Sequence, residues 1–197
     1  MEACVETLFD TADGALKFAY RYTTEQYDRP LMNRLADKVK RTGKGLVGVD
    51  GAGQSGMIRG EIKSLGRFVE AIVTARYAPR SIPCACGSAC CAGEKPNPEW
   101  SEAIGFITTE AVSRLSGKLT HYRLRRGIVE RQFGVKHKIG DLADACGVNR
   151  DTASEHNAII TLWLAGEKRT IPNAKVGEIA RAIALAEGRL NVAGFVG

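Results

Sequence analysis

The chain has 197 residues, room for one sizeable core or two small ones, and its 44% hydrophobic and 25% charged residues are ordinary for a soluble globular protein. The net charge of +6 favours an anionic partner, and no apolar run approaches membrane-spanning length. Residues 1–5 carry no basic start of a secretory signal, so the expected compartment is the cytoplasm, with no membrane partner.

In chain order, the apolar spacing of Val5, Leu8, Phe9, Ala15, Phe18 and Ala19 predicts a helix over 5–22, weakened by Gly14. A short basic helix is expected over 31–41. Gly51-Ala-Gly53-Gln-Ser-Gly56 then spells the opening of a dinucleotide site, but no second parallel strand follows and Glu70 falls in a helical stretch. This passage reads as a flexible linker. A single helix is expected over 57–77, from Ile58, Ile62, Leu65, Phe68, Val69, Ile72 and Val73.

Pro79 and Pro83 introduce an irregular segment in which Cys84-Ala-Cys86-Gly-Ser-Ala-Cys90-Cys91 places four thiols within eight residues. Soft thiolates in a reducing compartment suit tetrahedral structural Zn2+, so Cys84, Cys86, Cys90 and Cys91 are the candidate ligands. Adjacent Cys90 and Cys91 hardly reach one metal together, and His121 or His137 could complete a three-cysteine set. Unliganded thiols and redox chemistry are the alternatives. Cys4 and Cys146 read as packing residues.

Asn97-Pro98-Glu99 has the form of an N-cap followed by proline at the first helical position. The helix it opens carries Trp100, Ile104, Ile107, Ala111 and Leu115 on one face. A basic helix over 119–133 follows, burying Leu124, Ile128 and Val129. Residues 112–150 hold nine Lys/Arg against three Asp/Glu, while residues 1–30 hold six acids against three bases. Concentrated positive charge is the footprint expected of a phosphate-binding face.

Next to that charge, Ile139-Gly-Asp-Leu-Ala-Asp-Ala-Cys-Gly-Val-Asn-Arg-Asp-Thr-Ala-Ser-Glu-His-Asn-Ala158 reads as a helix-turn-helix. Leu142 anchors the first helix, Ala143 is small where the helices approach, and Gly147 can turn the chain at positive φ. Val148 plugs the core, Asn149 can cap the second helix, and Ala153 faces inward. The second helix would enter a major groove with Arg150, Asp151, Ser154, Glu155 and Asn157 as contacts, and Asn149 beside them. Arg123, Arg125, Arg126, Arg131 and Lys138 are the candidate phosphate contacts. His156 stands where an apolar residue is usual and reads as a core histidine. Pro172-Asn173 opens a last helix over 174–187, with Val176, Ile179, Ile183 and Leu185 as its stripe.

The residues Arg126-Gly-Ile-Val-Glu, Phe133-Gly, Ile139-Gly-Asp-Leu-Ala, Gly147-Val-Asn-Arg-Asp-Thr and Trp163-Leu resemble region 4 of sigma factors. The match covers about residues 119–166. The wider arrangement is similar to small bacteriophage late-gene antitermination proteins of the Q type. That resemblance implies transcription regulation through a DNA element near a late promoter, with RNA polymerase as a partner, in the cytosol of a bacterium or phage-infected host.

The expected fold is therefore mostly α. It has a helical N-terminal part (1–78), a cysteine-rich zinc loop (79–97) and a C-terminal helix-turn-helix domain (98–197). The expected function is sequence-specific double-stranded DNA binding. The alternative is a helical protein–protein adaptor that does not bind DNA. Three scattered histidines and no spaced nucleophile–base set argue against an enzyme.

Overall fold

The computed structural model describes residues 8–26, 49–84, 86, 92–115, 120–167 and 174–197. Helices dominate: α1 (Ala12–Gln26), α2 (Val49–Ser64), α3 (Arg67–Tyr77), α4 (Pro98–Arg114), α5 (Tyr122–Gln132), α6 (Ile139–Cys146), α7 (Arg150–Leu164) and α8 (Glu178–Val192). One antiparallel ribbon, β1 (Ser81–Pro83) and β2 (Glu94–Pro96), lies between α3 and α4. The helix expected over 31–41 lies outside the described residues.

Helix α1 starts later than the apolar spacing suggests, because Thr11 ends the extended entry and its Oγ1 accepts from Gly14 N at 3.1 Å. The expected linker around Gly51 is not a linker: residues 49–64 form α2. Tertiary packing overrides the low helix propensity of its glycines. Ile58 and Ile62 are fully buried, and the buried Ser55 donates from Oγ to Ala19 O at 2.9 Å. Gly51 sits so close to Tyr22 that a Cβ there would come 2.6 Å from the ring. Its missing side chain is what lets α1 and α2 approach. From Gly53 onward the amides of this run have carbonyl partners within the helix, unlike those of the extended glycine loop of a dinucleotide site. The single helix expected over 57–77 is broken at Gly66, with φ 99°, so α2 and α3 are separate elements.

Two apolar clusters form among the described residues. One combines Ala15, Leu16, Ala19 and Tyr20 of α1 with Ile58 and Ile62 of α2, Val73 and Tyr77 of α3, and Ala186 and Leu190 of α8. The other joins Ala71, Ile72 and Ala75 of α3 to α4, α5, α6 and α7, with Ala182 of α8. Helix α3 therefore serves both clusters, and α8 returns to the N-terminal helices. Arg189 of α8 pairs with Glu61 of α2, and Phe9 N donates to Phe195 O at 3.2 Å. The apolar packing thus runs across the cysteine-bearing segment.

Helix α4 matches its expected start and face. Asn97 Oδ1 accepts from Glu99 N at 3.1 Å, and Trp100, Ile104, Ile107 and Ala111 are buried. Trp100 Nε1 donates to Ala75 O at 3.1 Å, so this tryptophan is a core residue tying α4 to α3. Helix α8 departs from expectation. It runs on to Val192, and its inward residues are Ala182, Ala186 and Leu190, while Val176 and Leu185 are exposed. Alanines at i, i+4 spacing allow close helix approach, and scoring by side-chain bulk overlooks them.

Candidate nucleic-acid interface

Helices α5, α6 and α7 pack on one another, with Leu124, Ile128, Val129, Ala143, Ala153, Ile160 and Leu164 buried between them. Leu142, Ile139, Cys146 and Val148 pack against this cluster half-buried. Gly127 of α5 lies under Leu142, where a Cβ would stand 2.7 Å from Leu142 Cδ2. Gly147 ends α6 in the left-handed conformation, φ 64° and ψ 30°, which a side chain would strain. Val148 N donates back to Ala143 O at 3.0 Å, and Asn149 Oδ1 caps α7 by accepting from Asp151 N at 2.7 Å. Two helices of 8 and 15 residues are thus joined by a turn of three residues.

The exposed side of this pair carries Asp141, Asp144, Arg150, Asp151, Ser154 and Glu155. Arg150 does not stand alone. Its Nε donates to Asp144 Oδ1 at 3.2 Å and its Nη2 to Asp144 Oδ2 at 2.7 Å. The Arg150 guanidinium holds the Asp144 carboxyl below the usual carboxylate range. Farther along α7, Ile159 and Leu162 are exposed.

The basic residues expected to hold phosphates divide into two groups. Arg125 is buried, and its Nε donates to Thr108 O of α4 at 2.8 Å. Arg126 lies across α4, donating from Nε to Glu130 at 2.9 Å and from Nη2 to Ser101 Oγ at 2.9 Å. Arg131 Nη1 donates to Asn157 Oδ1 at 2.7 Å, joining α5 to α7. These four side chains, Asn157 included, are engaged between helices. Arg123 and Lys138 are exposed, and so is Lys136, which the sequence places among the bases but does not single out. Lys138 also stands at the N-cap of α6 without a side-chain capping bond, so the first-turn amides of α6 are not capped by a side chain. Among the described residues, the bases of the charge-rich segment therefore do not form a single basic face.

Helical spacing carried the signal for two of these inward turns. Arg125 stands four residues before Val129, and Asn157 four after Ala153, each beside a residue that faces the core. The Asp144–Arg150 pair has no signature in helical spacing, because its members lie six residues apart across the glycine turn.

His156 is half-buried, and desolvation lowers its pKa below 6.5, so the ring is neutral at pH 7. Trp163 stacks on Phe68 of α3, with ring centroids 5.8 Å apart.

The ribbon β1–β2 pairs Ser81 with Pro96, Ile82 with Lys95 and Pro83 with Glu94. Cys84 N then donates to Gly93 O at 2.8 Å, so the ribbon gathers both ends of the cysteine-bearing segment. Cys84 is half-buried and Cys86 exposed; Cys90 and Cys91 lie outside the described residues. Among the described residues, no group of three or more His, Cys, Asp or Glu side chains is placed to hold a metal ion, and no helix is long and apolar enough to cross a membrane. Comparison with protein-family models, curated proteins and solved structures returned no match.

Proposed function

We propose that the chain is a double-stranded-DNA-binding transcription regulator in which α6 and α7 act as a helix-turn-helix. The observation that carries this reading is the left-handed turn at Gly147. It joins two helices packed on α5 and leaves Arg150, Asp151, Ser154 and Glu155 exposed at the start of α7. The start of a second helix is the part that reaches base edges in such motifs. Arg123, Lys136 and Lys138 supply the phosphate contacts in this reading, together with the uncapped start of α6. Action on RNA polymerase as a late-gene antiterminator rests on the resemblance of residues 119–166 to sigma region 4. Structural zinc in the cysteine segment is part of the same proposal. The closing of Cys84 and Gly93 at the ribbon's end favours it, since a metal would fix a loop whose ends are already together.

The test is binding of the full chain to random-sequence duplex DNA at about 50 and 200 mM salt. Affinity that falls steeply with salt supports the proposal, and no binding at the lower salt rejects it.

A second reading, a protein–protein adaptor, is favoured by one observation. The exposed side of α6 and α7 carries four carboxylates, Asp141, Asp144, Asp151 and Glu155, and continues into exposed Ile159 and Leu162. Such a face suits a basic or apolar protein surface. An adaptor of this kind shows no salt-dependent affinity for DNA.

A further inference from the structure

Asp144 grips Arg150 by one particular edge. The carboxylate accepts from Nε and Nη2, which together form the side-on edge of the guanidinium. Five N–H donors are set in a rigid planar fork, and this grip uses two of them. The end-on edge remains, with one N–H each from Nη1 and Nη2 pointing in parallel. Among the described residues no hydrogen bond occupies it.

Two parallel donors match one base in the major groove. Guanine presents two adjacent acceptors, O6 and N7, whereas adenine presents an acceptor beside a donor. An arginine fixed side-on by a carboxylate is thus already in the form that reads guanine. Asp144 and Gly140 stand four residues apart on α6, and a Cβ at Gly140 would lie only 4.0 Å from Arg150 Nε, so Arg150 lies back along this stripe. Both partners are largely exposed, at 71% and 57%, and a pair so exposed adds little to folding stability. Its effect falls on the orientation of the arginine.

We propose that Asp144 is a positioning residue that holds Arg150 with its end-on edge outward and thereby commits the motif to a guanine under the start of α7. The inference rests on the DNA-binding reading of α6 and α7. It carries an unusual sign. Removing Asp144 deletes a negative charge, so affinity for random DNA rises while discrimination for guanine falls. A folding defect would lower both.

The experiment selects sites for the full chain from a randomised duplex pool, then measures affinity for the enriched site, for the same site with guanine replaced by adenine, and for the site carrying 7-deazaguanine, which lacks the N7 acceptor. Wild type is expected to enrich a site with one required guanine and to lose about tenfold in affinity with either replacement. Asp144→Ala is expected to bind random DNA more tightly and to lose most of that ratio, while Asp144→Glu, which keeps a carboxylate, retains part of it. An undiminished ratio in Asp144→Ala overturns the proposal and leaves the DNA-binding reading standing. An enriched site with no guanine sensitive to the replacement also overturns it. Absence of salt-dependent DNA binding by the wild type removes the proposal and the reading together.

Discussion

Arg131 Nη1 donates to Asn157 Oδ1 at 2.7 Å, bridging α5 to α7 across 26 residues of sequence. Both residues read from sequence as DNA contacts, yet the structure turns them toward each other in a half-buried seam. Gln132 Nε2 adds a second bridge to Thr161 Oγ1 at 2.9 Å. Asn157→Ala is therefore expected to lower stability by about 1 kcal/mol, since it leaves a charged donor without its acceptor. Any sequence preference in DNA binding should persist unchanged. Denaturant unfolding beside site selection checks this; unchanged stability with altered preference would return Asn157 to the DNA face.

The glycines of α2 divide by position. Gly53 and Gly56 are exposed, with nothing within 4 Å of a Cβ built on either, so Gly53→Ala and Gly56→Ala are each expected to stabilise by about 0.5–1 kcal/mol. Gly51→Ala has the opposite sign, because its Cβ would strike the Tyr22 ring. Thermal unfolding of the three variants distinguishes a packed helix, which gives two gains and one loss, from a linker, which gives no consistent sign.

His156 gives a pH signature. Desolvation holds its folded pKa below 6.5, so the unfolded chain binds more protons as the solution is acidified. Its contribution to stability is full above about pH 6.5 and declines as pH falls from there through the folded value. Asp13 and Asp144, both held below 3.8, lose their contributions only in more acid solution. The melting temperature should therefore fall between about pH 7.5 and pH 5, and His156→Gln should flatten that part of the curve. An identical slope in the variant would place the proton uptake elsewhere.

The cysteine segment is tested by metal content. The purified chain is expected to retain zinc through dialysis, to lose it to a strong chelator, and to lose it in Cys84→Ser. Full zinc retention in Cys84→Ser would exclude this residue as a ligand, and a metal-free wild type would exclude the site.

Local rules made part of this architecture legible in sequence. Asn97-Pro98 and the stripe Trp100, Ile104, Ile107 and Ala111 define α4 without reference to the rest of the chain. Gly147, Val148 and Asn149 likewise mark the α6–α7 turn and its cap. What escaped depends on distant partners. The glycines of α2 are helical because Tyr22 and Ala19 of α1 lie against that helix. The inner face of α8 is lined by Ala182 and Ala186, which gain their role from close packing rather than bulk. The candidate site divided in the same way. Arg150 and Glu155 are exposed as spacing predicts, whereas a count of positive charge cannot tell that Arg125 donates into α4 or that Arg126 lies across it.

The central claim is that the exposed side of α6 and α7, with its neighbouring lysines, lies on duplex DNA. The most direct measurement is the slope of log affinity against log salt for the wild type and for the double variant Lys136→Ala/Lys138→Ala. Each phosphate contact contributes about 0.9 to that slope, so the double variant is expected to be shallower by nearly 2 while its fold is retained. A wild type without salt-dependent affinity would contradict the account and favour a protein partner for this face, and two equal slopes would contradict it by placing the phosphate contacts elsewhere on the chain.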